Sequence, residues 1–243
     1  MSDVQTNFQR YEKKYLLTAE QYQAVRAGLA GRMLPDRFSR YTICNVYYDT
    51  RDFRLIRASL EKPLYKEKLR VRSYGPAVGS DPVFVELKKK YDGVVYKRRI
   101  TAPAAAARQW LAGGEAPESS QIQRELDWFR RRLPLAPRVF IGYDREAYAG
   151  AEDGELRLTF DTNLRWRNRQ PELSRADGYL LLPRETVLME LKIPGVLPLW
   201  LSRLLSANHI YPTSFSKYGA YYRDVVCGGR IGEYFGQEVR KSA

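Results

Sequence analysis

Apolar and polar residues alternate with period two along much of this chain, the signature of strands with one buried and one charged face. The densest example is residues 65–99, which reads as three strands. In KEKLRVRSY, Lys66, Lys68, Arg70, Arg72 and Tyr74 share one face, and Tyr65, Glu67, Leu69, Val71 and Ser73 share the other. In VFVELKKK, Phe84, Glu86, Lys88 and Lys90 oppose Val83, Val85, Leu87 and Lys89. Tyr91-Asp92-Gly93 is a hairpin signal, and the return strand VVYKRRI puts Lys97 and Arg99 on one face.

The same alternation marks strands at residues 8–17 (FQRYEKKYLL), 40–48 (RYTICNVYY), 138–149 (RVFIGYDREAYA), 155–162 (ELRLTFDT) and 185–193 (ETVLMELKI). LRWRN is a further strand and residues 179–182 a short one. Helices are expected where the period changes. Thr18 caps AEQYQAVRAGLAG, with Gly31 at its exit, and Asp49-Thr50 caps a short turn at residues 51–59. Residues 101–103 open an Ala-rich helix, and Ser119 or Ser120 opens QIQRELDWFRRRL, which Pro134 ends. Pro198 starts an amphipathic helix, and Ser214 or Ser216 opens the last. Arg130, Arg131 and Arg132 read as solvated surface, and Tyr47, Tyr48, Tyr221 and Tyr222 as packing residues.

The charged faces collect Arg10, Glu12, Lys14, Lys68, Arg70, Arg72, Glu86, Lys88, Lys97, Arg99, Tyr143, Arg145, Arg157, Asp161, Glu190 and Lys192. The complementary faces are apolar, so helices are expected to cover them. If the sheet is open, the charged face is wet. If it closes into a barrel, the charges line the interior, where they need water and an anionic ligand.

The net charge of +13 points to an anionic partner of some kind. Excess Lys and Arg on the strand faces call for a ligand with several negative charges, and arginines at alternate positions suit phosphate oxygens. The few carboxylates can orient those cations or hold a divalent metal such as Mg²⁺ or Mn²⁺. No Walker lysine loop, GxGxxG or CxxC is present. A single histidine, His209, makes His-based catalysis and His-rich metal sites poor readings. Two distant cysteines, Cys44 and Cys227, form no disulfide framework, which suits a reducing cytosol. The first residues carry no apolar signal core, and the longest apolar cluster, residues 196–205, is too short to span a bilayer. At 243 residues the chain is expected to form one domain in the cytoplasm. Nucleic acid is not the expected partner, because the best-patterned cations lie on strands rather than on an outer helix with interleaved aromatics.

RYEKKY, YYDT, KLRVRSYG, VFVELKKK with YKRRI, GYDREAY, LRLTFDT, LMELK and FSKYGAYY, in this order, make the chain resemble the VTC domain. This is the polyphosphate polymerase domain of the vacuolar transporter chaperone complex, in the triphosphate tunnel metalloenzyme superfamily. The resemblance covers residues 8–226. It implies an α+β fold, a closed antiparallel eight-stranded β-barrel with helices packed outside. It implies transfer of the γ-phosphoryl group of ATP to phosphate or a polyphosphate end, releasing ADP, with Mn²⁺ or Mg²⁺. Arg70, Arg72, Lys88, Lys97, Arg145, Arg157 and Lys217 match catalytic phosphate-contacting positions, Lys14 and Tyr143 match substrate-binding positions, and Glu190 matches the metal-binding carboxylate. Lys68, Arg99 and Lys192 join the substrate-binding set through their place on the charged face. Two departures stand out. The superfamily's ExExK frame reads Arg10-Glu12-Lys14 here, which favours the VTC branch over hydrolytic ones. A lysine expected one helical turn before Lys217 is Ser214. A tripolyphosphate or nucleoside triphosphate hydrolase, and a non-catalytic module for polyphosphate or inositol phosphates, remain alternatives.

Overall fold

A computed structural model of the chain describes residues 10–228 except Gly93 and Glu118, and the backbone alone of Arg10 and Phe38. The predicted strand start at Phe8 and the turn residue Gly93 lie outside the described residues, as does the Arg10 side chain. In chain order the strands are β1 (Arg10–Leu17), β2 (Met33–Asp49), β3 (Tyr65–Tyr74), β4 (Pro82–Tyr91), β5 (Val94–Pro103), β6 (Ala136–Gly150), β7 (Arg157–Arg167), β8 (Tyr179–Leu180) and β9 (Val187–Pro194). The helices are α1 (Ala19–Gly28), α2 (Arg54–Leu60), α3 (Ala104–Leu111), α4 (Gln121–Arg132), α5 (Leu199–Ala207) and α6 (Lys217–Ala220), which runs on into a π-helical segment, Tyr221–Cys227.

The chain forms two compact units. One contains the described residues up to Tyr41 with Asp144–Asn163 and Leu182–Phe215; the other contains Thr42–Tyr143, Leu164–Leu181 and the residues from Ser216. Strands β2, β6 and β7 run through both.

In the first unit the strand order is β1-β9-β7-β6-β2. Its core joins Tyr15, Leu17, Leu158, Phe160, Met189 and Leu191 from the strands to Val25 and Leu29 of α1 and Leu201 and Leu205 of α5. Thr18 caps α1 as expected, in a full capping box: its hydroxyl accepts from Gln21 N at 3.2 Å while Gln21 Oε1 accepts from Thr18 N at 3.1 Å.

In the second unit the order is β8-β7-β6-β2-β3-β4-β5. β3 follows the expected phase: Glu67, Leu69, Val71 and Ser73 are buried between less buried cations. Leu69, Val71, Val83, Val85 and Leu87 pack against Leu55 of α2, Trp110 of α3 and Leu126 and Phe129 of α4. At the roughly 25 cal/mol per Å² of apolar burial, this continuous layer is what holds the helices on the sheet. Asp49 does anchor α2 as predicted, although the helix begins only at Arg54. Its carboxylate accepts from Thr50 N, Leu55 N and Ile56 N at 2.8, 2.9 and 3.1 Å, and Phe53 takes a left-handed φ of 60° to allow it.

Three expectations are corrected. The strand order ends on β1 and on β5 with no ladder joining these two, so the sheet of nine described strands is not the closed eight-stranded barrel. The outer edge of β1 is instead occupied by the segment before α6, through a bridge between Lys14 and Thr213 (Thr213 N to Lys14 O, 2.7 Å). The outer strand β5 leaves Val94 to Arg98 exposed. Second, ELRLTFDT and LRWRN are one strand, β7, because Asn163 absorbs the irregularity with a positive φ of 49°. Third, none of the three α4 arginines is simply solvated: Arg131, though largely exposed, pairs with Asp127 at 2.6 Å. Arg130 pairs with Asp127 at 2.7 Å, and Arg132 pairs with buried Glu67 of β3.

Candidate functional site

Register decides what the charged faces look like. In the second unit, Lys68, Lys88 and Lys97 stand directly opposite one another across β3, β4 and β5. The next row is Tyr47, Arg70, Glu86 and Arg99, and the next Asn45, Arg72, Phe84 and Thr101. Opposed side chains on neighbouring antiparallel strands are roughly 5 Å apart at Cβ, where like charges destabilise. The sheet tolerates these rows because Glu86 sits in the middle, 1% exposed. Glu86 takes Arg70 Nε at 2.8 Å, Lys97 Nζ at 2.7 Å and Arg99 Nε at 2.7 Å. Burial alone would raise its pKa; Arg70, Arg72 and Lys97 outweigh that and hold the carboxyl well below its ordinary value. Burial and the cation Arg99 depress the Lys97 ammonium against the pull of Glu86. One carboxylate thus serves three cations, leaving the rows strongly positive.

Arg72 is held differently, by neutral acceptors. Its Nε donates to Asn45 Oδ1 at 3.0 Å and its Nη2 to the Tyr143 hydroxyl at 3.3 Å. Asn45 is fully buried and donates its own Nδ2 to the Ile141 carbonyl at 3.0 Å. The Lys217 ammonium lies 4.4 Å from the centre of the Tyr143 ring, a cation–π contact. Lys68 donates to Ser216 Oγ at 3.2 Å. Tyr47 does more than pack. Its hydroxyl accepts from Arg70 Nη1 at 3.4 Å, and its ring stacks at 4.7 Å on Tyr218, whose hydroxyl donates to Asp49 at 2.9 Å. Burial and Asp49 raise the Tyr218 pKa far above the phenol range. Tyr48, by contrast, is core packing, its hydroxyl pushed by burial to about 12.

In the first unit the second cluster centres on Glu190. β1 and β7 pair with β9 so that Lys14 and Thr159 face Glu190, and Glu12 and Arg157 face Lys192. Lys14 Nζ reaches Glu190 Oε1 at 3.5 Å and Glu12 Oε1 at 3.4 Å, and donates to the Phe215 carbonyl at 3.2 Å. Arg145 donates to Glu190 Oε2 at 3.1 Å and grips fully buried Asp161 in a fork, at 2.6 and 2.7 Å. Arg157 turns to Asp36 at 3.1 Å, both side chains close to half exposed. Lys192 is exposed.

Lys68, Arg70, Arg72, Lys88, Lys97, Arg99, Tyr143 and Lys217 therefore share the second unit, and Lys14, Arg145 and Glu190 touch in the first. Ser214 lies exposed in the extended segment before α6, not on a helical turn. Asn45 and Tyr47 were missed as site neighbours. The usable signal was an Asn in a strand interior, where Asn is depleted, on the face that also carries Tyr47. Replacing Asn45 by Ala is expected to cost about 1–3 kcal/mol, because the Ile141 carbonyl and Arg72 Nε lose their partner. A urea unfolding curve with a lowered midpoint and unchanged slope checks this; an unshifted midpoint would show that Asn45 does not hold Arg72.

No group of three or more His, Cys, Asp or Glu side chains is arranged for a metal among the described residues. Glu190 and Glu12, which converge on a single ammonium, do suit a hard divalent cation that completes its shell with phosphate oxygens and water.

The fold is a helix-backed antiparallel sheet whose other face carries cations in register. The chain belongs to the VTC domain family, whose model matches residues 9–225. No curated protein matches its sequence. Among solved structures, it resembles a provisionally assigned adenylate cyclase from Bacillus halodurans, with a TM-score of 0.53 and 16% identity over 84% of this chain and 92% of that one. It also resembles a provisionally assigned adenylyl cyclase from Hippeastrum, described as having a dominant triphosphatase activity, with a TM-score of 0.51 and 16% identity over 88% and 94%. At this identity the likeness is one of fold. No helix of the described residues is long and apolar enough to cross a membrane.

Proposed function

We propose that this protein is a metal-dependent polyphosphate polymerase, moving the γ-phosphoryl group of ATP to phosphate or to the end of a polyphosphate chain. The observation that carries this reading is the stack of cation rows on β3, β4 and β5, with Glu86 as its only carboxylate. From Arg72 to Lys68 the stack spans four residues, about 13 Å, and offers more donors than three phosphates occupy.

In this reading Arg70 and Arg72 grip phosphate oxygens with paired N–H groups, as guanidinium forks do. Glu86, Asn45 and Tyr143 pre-orient those forks, so little reorganisation remains when the substrate arrives. Lys68, Lys88, Lys97, Arg99 and Lys217 add charge along the chain. Glu190 and Glu12 hold Mn²⁺ or Mg²⁺, which neutralises phosphate charge when bound; Arg145, braced by Asp161, keeps Glu190 in place. Within the first unit, Lys14, Arg157 and Lys192 are the cations this reading assigns to phosphate oxygens. In the transfer, the bond between the γ-phosphorus and the β–γ bridging oxygen breaks, ADP leaves, and an oxygen of the acceptor phosphate takes its place. That oxygen is already anionic near neutral pH, so no histidine base is required, and catalysis is positioning with charge neutralisation.

A second reading, hydrolysis of the same triphosphate, is favoured by the triphosphatase activity described for the Hippeastrum protein. Incubation with ATP and Mn²⁺ or Mg²⁺, with gel and product analysis, separates the two. ADP with long polymer supports the polymerase; ADP with free phosphate alone replaces it with the hydrolase. No turnover, with polyphosphate bound, overturns both in favour of a binding module.

A further inference from the structure

One cationic group in the second unit lies outside the rows assigned above. Lys66 and Lys90 stand directly opposite one another on β3 and β4, one row beyond Lys68 and Lys88. Lys62 precedes β3, with a left-handed φ of 54°. None of the three makes an ion pair among the described residues. The Lys66 ammonium, partly buried, donates to the Ser59 carbonyl at 3.3 Å, which supplies no counter-charge. Burial first, then the fields of Lys90 and Lys62, depress its pKa, so the three ammonium groups feel one another.

A cavity of about 410 Å³ adjoins Lys66, lined also by Arg54, Arg132, Tyr65 and Glu67. Its position follows from register. The last partner that β2 gives β3 is Tyr48 against Leu69, so beyond it α2 rather than a strand borders Tyr65 to Glu67, and the cavity lies between them. Glu67 is the carboxylate lining the cavity. It is buried and already takes Arg132 and the Tyr65 hydroxyl, the latter at 2.5 Å. Arg54 and Lys66 are therefore not neutralised by it. Volumes of this size are typical of ligand sites, and an uncompensated like-charge group next to one calls for an anion with repeated negative charges.

We propose that Lys62, Lys66 and Lys90, with the adjoining cavity at Arg54, form a separate subsite for a phosphate-rich chain, engaged once the chain outgrows the rows between Lys68 and Arg72. It deepens the polymerase reading by naming where the product lies, yet its test needs no turnover. The consequence is length discrimination: short phosphates fill the inner rows and leave this subsite empty, whereas long chains reach it.

The test is calorimetric binding of inorganic tripolyphosphate and of long-chain polyphosphate to the wild type and to Lys62→Ala/Lys66→Ala/Lys90→Ala. Long-chain affinity is expected to weaken about tenfold, from a few tenths of a kcal/mol per exposed charge contact, while tripolyphosphate affinity stays within about twofold. A control that removes equal charge from elsewhere in the unit, Arg108→Ala/Arg124→Ala/Arg175→Ala, is expected to keep long-chain affinity. Should the triple lysine variant not fold, Lys90→Ala alone is expected to weaken the long chain about twofold to threefold. Unchanged long-chain binding overturns the subsite. So does equal weakening of both ligands, or an equal effect of the control, since each marks general electrostatics. If the wild type makes no polymer from ATP but the length discrimination persists, the polymerase reading fails and the subsite stands.

Discussion

Glu86→Gln is expected to lower stability by about 3 kcal/mol or more, and added tripolyphosphate is expected to restore most of it. Glu86 is buried and meets Arg70, Lys97 and Arg99, so neutralising it leaves three cations facing one another at the centre of the sheet. Breaking a buried ion pair on one side costs about 3–5 kcal/mol. A bound anion replaces the lost charge and stabilises the folded state by mass action. Thermal melts of wild type and variant, with and without tripolyphosphate, check both halves. A variant that melts like the wild type would show that the cations do not need Glu86; one that tripolyphosphate leaves unrescued would show that these rows do not bind phosphate.

The same carboxylate sets an acid limb. Its folded pKa is depressed below the ordinary 4.5 by Arg70, Arg72 and Lys97 acting against burial. A depressed carboxyl contributes stability that is fully present above its unfolded pKa and is lost as pH falls through the folded one. The wild type is therefore expected to lose stability progressively below about pH 4.5, and Glu86→Gln to show a shallower loss across that window.

Glu190→Gln is expected to reduce turnover at least about 100-fold while shifting the melting temperature only slightly. Removing a single preorganised charge-stabilising group typically costs about 10²–10³ in kcat, and here the lost oxygen charge also weakens the hold on the divalent cation. The variant keeps the side-chain shape and Arg145 keeps its fork on Asp161, so the local packing survives. Initial rates of ADP release across a Mn²⁺ titration provide the measurement. Wild-type rates in the variant would remove Glu190 from the site. A lowered rate recovered fully at high Mn²⁺ would make it a metal-affinity residue alone.

The strand faces were legible because their cause is local. In KEKLRVRSY the pleat alone sends Lys66, Lys68, Arg70 and Arg72 one way and Leu69 and Val71 the other, and the burial of β3 follows that alternation. Thr18 and Asp49 were legible for the same reason, since a capping side chain acts within a few residues of itself. Arg132 was not. Its partner Glu67 lies on a different element, whereas the partner of Arg130 and Arg131 is Asp127, within the same helix. Asn45 escaped notice because its function depends on Arg72 and Ile141, which the chain brings near only through pairing of β2 with its neighbours. The join of two expected strands into β7 turned on one backbone angle, at Asn163, which periodicity does not encode.

By itself, then, the sequence determined which residues share a face, and that one set of faces is apolar and the other cationic. It did so because side-chain direction in a strand is a two-residue rule. Only the tertiary structure decided that Lys68, Lys88 and Lys97 align in a row, that Glu86 sits among Arg70, Lys97 and Arg99, and that Glu190 meets Lys14 and Arg145. It also decided that residues before α6, rather than β5, occupy the edge of β1. Those outcomes rest on register and edge pairing between segments far apart in the chain, where the free energy comes from the packed apolar face and is indifferent to which cation ends up opposite which.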